Sequence, residues 1–85
     1  MEKMLSLYDY MGTPVGKGYT AKRVAGCAYV LGVHVERRWV DNPKYKGWVK
    51  LYPEEYLYKY FNNEFTEAER EKINPVIDRY EKYEY

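Results

Sequence analysis

The sequence predicts a small α+β domain with the order β-α-β-β-α-α: a three-stranded mixed sheet, a crossover helix and C-terminal helices. Three observations carry this. The chain has 85 residues, enough for a single domain over 1–85. Short runs of alternating apolar side chains fall within residues 1–52. After Pro53 the apolar positions recur every three or four residues, framed by helix start and stop signals.

Leu5 to Tyr10 reads as the first strand, with Leu5 and Leu7 on one face and Ser6, Tyr8 and Tyr10 on the other. Met11 to Gly18 carries three glycines and a proline and reads as a loop. Thr20 is a suitable N-cap for a helix over 21–31, and Gly32 a suitable end for it. Val33 to Val40 is the second strand and Trp48 to Tyr52 the third, joined as a hairpin by a turn that opens at Asp41-Asn42-Pro43 and closes at Gly47. If the first two strands pair directly, their helical connection makes them parallel. Pro53-Glu54-Glu55 starts a helix that stops at Asn62-Asn63. Thr66 and Glu69 form a capping box for the next, which Asn74-Pro75 either kinks or divides.

The composition excludes many chemistries. Ser6, Cys27 and His34 are the only residues of their kinds. No intramolecular disulfide can form, and a four-ligand Cys/His zinc site cannot be filled. A Ser-His-Asp or Cys-His arrangement would have to use those single copies, each of which sits in a pattern that reads as structural. The expectation is a non-enzymatic chain with no cofactor and no metal. Carboxylates are abundant, but they cluster on predicted helix exteriors, where solvated faces are the rule. No run approaches the 18 apolar residues of a membrane span, and the N-terminus lacks the apolar core of a secretory signal, so the expected location is the cytoplasm.

Charge is unevenly distributed. Residues 1–50 hold nine Lys/Arg and four Asp/Glu, net +5; residues 51–85 hold five and nine, net −4. The overall +1 thus combines a basic half over 1–52 with an acidic, tyrosine-rich helical half over 53–85. The two halves can solvate each other, associate head to tail between copies, or leave the basic half for an anionic partner.

Two features suggest where a partner sits. The 12–18 loop lies between a predicted strand and a helix, as a phosphate-binding loop does. It lacks the glycine spacing and the hydroxyl after Lys17 that a Walker loop needs, so nucleotide hydrolysis is rejected. Lys17, Lys22 and Arg23 still crowd the predicted helix start, where an anion would relieve their conflict with the helix dipole. The second feature is a sheet face combining Tyr8, Tyr10, His34, Arg38, Trp48, Lys50 and Tyr52, extended at the hairpin tip by Lys44, Tyr45 and Lys46. Rings interleaved with cations suit single-stranded nucleic acid. The same face becomes core if the C-terminal helices cover it. The helical run Ala25-Gly26-Cys27-Ala28-Tyr29-Val30-Leu31 points the other way: its small residues let a C-terminal helix, or a second protomer, pack there and leave the aromatic face open.

The leading functional expectation is a small interaction module that binds a protein, or itself, through a Tyr/Trp-rich surface made of Tyr8, Tyr10, Tyr45, Trp48 and Tyr52. The alternative is nucleic-acid binding through Lys17, Lys22, Arg23, Arg37, Arg38, Lys44, Lys46 and Lys50 with Tyr45 and Trp48.

Overall fold

The computed structural model describes residues 3–12 and 19–81. The elements are β1 (Met4–Leu5), α1 (Leu7–Met11), α2 (Thr20–Leu31), β2 (Glu36–Asn42), β3 (Tyr45–Pro53), α3 (Glu54–Asn62) and α4 (Glu67–Glu81). The α+β class holds, with one helix more than expected.

The extra helix replaces most of the expected first strand. Ser6 Oγ accepts the Asp9 N–H at 3.0 Å, and the Asp9 carboxylate accepts the Ser6 N–H at 3.3 Å. This capping box satisfies two backbone donors at once, and Gly12 closes the turn in the left-handed region at φ 76. Those local bonds outweigh the alternation of Leu5, Leu7 and their neighbours, so the strand stops at Leu5.

The sheet is antiparallel throughout, not mixed. Its order is β1-β3-β2, with Leu5 opposite Tyr52 and Trp39 opposite Trp48. β1 and β2 therefore do not pair. Each runs against β3, so the two point the same way with β3 between them, and the helical crossover spans an inserted strand. The hairpin turn is also tighter than expected. Asn42 Oδ1 accepts the N–H groups of Lys44 and Tyr45, both at 2.9 Å, so only Pro43 and Lys44 lie outside the ladder. Gly47 lies within β3, beneath the Tyr45 ring.

The helical half follows its signals closely. Asn63 ends α3 in the left-handed region at φ 56, its N–H bonded to Lys59 O. The Thr66–Glu69 capping box forms, with bonds of 2.9 and 3.2 Å. α4 continues through Pro75. The carbonyl that loses its donor there belongs to Glu71, which is exposed, so water can replace the missing bond.

The core gathers Leu7, Val24, Cys27, Ala28, Tyr52, Tyr56, Leu57, Phe65 and Ile73. α4 packs along α2. A Cβ on Gly26 would stand 2.8 Å from Val76 Cγ1, so the helices approach more closely there than any side chain on Gly26 would allow. The C-terminal helix thus covers α2 and leaves the outer part of the sheet open. The apolar run of α2 is not buried all round, however: Tyr29 and Val30 remain exposed.

A candidate contact surface on the hairpin

β3 is nine residues long and passes through two environments. Its last three residues, Leu51, Tyr52 and Pro53, are buried in the body. Its earlier residues pair with β2 outside the core, and β2 itself packs on little besides β3. The hairpin is in effect an arm built on a strand that the core holds at one end.

Register decides what each side of the arm displays. Arg37 pairs with Lys50, Arg38 with Val49, Trp39 with Trp48 and Asp41 with Lys46. Directly opposed residues share a face. One face therefore carries Arg37, Trp39, Asp41, Lys46, Trp48 and Lys50. Trp39 is 49% exposed and Trp48 57%. Their rings meet edge to face at 5.4 Å, and the Arg37 guanidinium lies over the Trp48 ring at 5.3 Å. These contacts hold the two indoles in a defined arrangement while leaving about half of each in water.

Towards the body this face leads into a groove of about 360 Å³ between α2 and the sheet. Ala25, Tyr29, Val33 and Val35 line it, with Arg37 and Lys50 at its rim and Tyr52 at its floor. Tyr29 is 86% exposed. The cations of the arm thus stand between two apolar features, the indole pair and the groove.

The predicted site residues are divided by this geometry. Trp48, Lys46 and Lys50 lie together on the aromatic face. Arg38 lies on the opposite one, where its guanidinium donates to Asp9 of α1 at 3.1 Å. Tyr45 is also on that opposite side, with its hydroxyl donating to Trp48 O at 3.2 Å. Lys44 is exposed in the turn. Tyr52 is 2% exposed and belongs to the core, so it is not part of the contact surface. Tyr10 is half-buried and stacks on Phe61. Tyr8 is exposed, but on α1 and not on a strand. Lys22 and Arg23 lie on the first turn of α2, Lys22 over the Tyr19 ring at 5.2 Å and Arg23 half-buried. Lys17 and the rest of the glycine loop from Thr13 to Gly18 lie outside the described residues.

Trp39 and Tyr29 join the surface unexpectedly, and His34 leaves it. Sequence parity alone groups His34 and Arg38 with Trp48. The two-residue turn fixes Asn42 opposite Tyr45, which makes cross-strand partners opposite in parity and brings Arg37 and Trp39 beside Trp48. The Asn42-Pro43 dipeptide was the signal for that turn.

The three single-copy residues are each occupied locally. Ser6 caps α1. His34 Nε2 is 3.2 Å from Glu36 Oε1 on the surface. Cys27 is fully buried, and burial pushes its thiol up to about 11, the nearby Arg23 charge only partly opposing this, so it stays protonated at neutral pH. A smaller hollow of about 200 Å³ beside His34 has Glu55, Lys59 and Glu69 at its edge, where Lys59 bridges both carboxylates at 3.9 and 3.8 Å. Among the described residues no group of His, Cys, Asp and Glu is placed to hold a metal ion, and no helix is long and apolar enough to cross a membrane.

No protein-family model, no curated protein and no solved structure matches this chain.

Proposed function

We propose that this chain is a small, non-catalytic interaction module of the cytoplasm, and that it binds a protein partner through the aromatic face of its β2–β3 arm. The observation that carries this reading is the Trp39–Trp48 pair, held in place by Arg37 and yet about half exposed. Tryptophan and arginine are among the residues most enriched where binding energy concentrates, and tryptophan removes a large area from water at little conformational cost. A fixed but uncovered pair has already lost most of the freedom that binding would otherwise take from it. The non-catalytic part of the reading is supported by the local engagement of Ser6, Cys27 and His34. The single buried thiol suits a reducing compartment.

A second reading has its own observation. Arg37, Lys46 and Lys50 share the face with the indoles, and Asp41 is the one acid among them. Cations beside exposed rings suit a single-stranded nucleic acid, with bases on the indoles and phosphates on the side chains.

One comparison tests both. The wild-type chain and a Trp39→Ala/Trp48→Ala variant are each photo-cross-linked in lysate, with the reactive group introduced at Lys46. The protein reading expects a discrete partner captured by the wild type and lost with the variant; equal capture by both would sink it. In parallel, single-stranded oligonucleotides are titrated at low and high salt. Tryptophan quenching with a steep salt slope would favour nucleic acid, and no binding at low salt would remove that reading.

A further inference from the structure

In the order β1-β3-β2, β2 is an outer strand, and its free edge meets no other strand among the described residues. Alternate N–H and C=O groups along that edge point away from the sheet without a ladder partner. Of its seven residues only Val40 is half-buried; the rest are exposed. β3 is also open along the arm, since β1 reaches only Tyr52 and Pro53.

We propose that a second copy of this chain occupies the β2 edge, pairing β2 with β2 in antiparallel fashion about a twofold axis at Trp39. The charge pattern of the strand selects that partner and that register. A twofold axis normal to the sheet keeps each face on its own side, so opposed residues have the same parity and the axis passes midway between a residue and its own copy. Three registers centre near the middle of the strand. An axis at Arg38 sets the two Arg38 guanidinium groups against each other. An axis at Val40 sets Trp39 against Asp41 and forms no ion pair between residues of the two β2 strands. An axis at Trp39 sets Arg37 against the partner copy's Asp41, and by symmetry does so twice, with Glu36 opposite Asn42 and Arg38 opposite Val40. Opposite charges directly across a ladder are favourable, and like charges are not. The β3 edge is the poorer choice, because pairing centred on Trp48 opposes Lys46 to Lys50.

Dimerisation in this register has a consequence for the contact surface. Both aromatic faces lie on the same side of one four-stranded ribbon. The two Trp39 rings meet at the axis with a Trp48 beyond each, and Arg37 and Lys50 flank the row. The proposal rests on the preceding reading only in taking that face as the contact surface; the edge and its occupant are additional to it.

The test uses the full chain. Sedimentation equilibrium of the wild type should show a monomer–dimer equilibrium that shifts towards monomer with added salt. Arg37→Asp alone and Asp41→Lys alone each oppose like charges across the axis, and each should be a monomer. Mixing the two variants sets every introduced charge against its opposite, so the mixture should recover the dimer. Both substitutions lie on the exposed arm, and circular dichroism confirms that the variants fold. A wild type that stays monomeric at millimolar concentration overturns the pairing, whatever the variants do. Single variants that dimerise as the wild type does, or a mixture that stays monomeric, overturn the register and with it the proposal. The two readings fail separately: sedimentation reads the β2 edge through Arg37 and Asp41, and the cross-linking comparison reads capture of a protein other than this chain that is lost with Trp39 and Trp48.

Discussion

The Tyr56 hydroxyl donates to the Val24 carbonyl oxygen at 2.6 Å, tying α3 to α2 inside the core. The ring supplies apolar area, and the bond satisfies a polar group that burial would otherwise strand. Tyr56→Phe keeps the ring and loses the bond. The expected cost is about 1 kcal/mol, near the mean for a buried hydrogen bond, read as a lower urea midpoint at unchanged slope.

The same burial makes stability depend on alkaline pH. Burial pushes the Cys27 thiol up to about 11 from the usual 9.0, and pushes the Tyr52 and Tyr56 hydroxyls above the ordinary tyrosine value. Each group holds its proton more tightly folded than unfolded. Their stabilisation is complete below about pH 9 and declines above it, first through Cys27 and then through the tyrosines, by about 1.4 kcal/mol per pH unit for each group ionised only in the unfolded chain. Unfolding midpoints measured from pH 8 to 11 should fall steadily. In Cys27→Ala the fall should begin later, nearer the tyrosine range. A flat profile would contradict this account.

Gly26→Ala tests the helix contact. The added methyl would meet Val76 Cγ1 at 2.8 Å, and valine has little rotamer freedom in a helix with which to yield. Overpacking costs about 1–3 kcal/mol, against which alanine regains roughly 1 kcal/mol of helix propensity. A net loss is expected, with part of it recovered in Gly26→Ala/Val76→Ala. Thermal unfolding of the two variants decides the point.

The small residues of α2 made that contact legible in the sequence, and the caps at Gly32, Asn63 and Thr66 marked three helix boundaries nearly to the residue. These signals are local: a glycine or a capping pair acts within one turn. The first strand differs, although an equally local signal marks the helix that replaces it. Ser6 and Asp9 have the spacing of a capping box and Gly12 ends the turn, but the alternation of leucines nearby is also a strand pattern. The sheet was harder still. Where β3 inserts depends on pairing across long stretches of chain, which no window of sequence contains. The candidate site failed on one integer, because shifting the parity across the hairpin exchanges Arg37 and Trp39 for Arg38 and His34.

Stability and binding should separate on the arm. Leu57 is fully buried and Trp48 is more than half exposed. Leu57→Ala is expected to cost about 2–5 kcal/mol, as core truncations do. Trp48→Ala should cost about 1 kcal/mol, the value of its contacts with Trp39 and Arg37. Equilibrium unfolding gives both values. A Trp48→Ala loss as large as that of Leu57→Ala would mean that the indole holds the fold together and is not a contact residue.

Acid should act at the caps. Burial raises the Asp9 carboxyl, but its hydrogen bonds from Ser6 and Arg38 outweigh that and hold it below the usual value; at Glu69 the backbone bond from Thr66 does the same, with the Lys59 charge adding to it. Carboxyls that are more acidic in the folded chain stabilise it above their unfolded values, near 4, and lose that contribution as pH falls through the folded ones. Asp9→Asn with Glu69→Gln should therefore flatten the acid limb of a stability profile taken from pH 5 to 2. An unchanged limb would remove the caps as its cause.

β3 also gives the molecule a mechanical property. One unbroken backbone runs from the exposed Trp48 to the buried Tyr52 and on to Glu54, whose N–H bonds Lys3 O at 2.8 Å. Force applied to the indoles along the strand reaches the core as shear on the Met4–Pro53 and Leu5–Tyr52 pairs, which must yield together. Sideways force meets only a two-stranded ribbon, which bends. The arm is therefore stiff in tension and compliant in flexion, so a load at the indoles can swing relative to the body and still resist being pulled away from it.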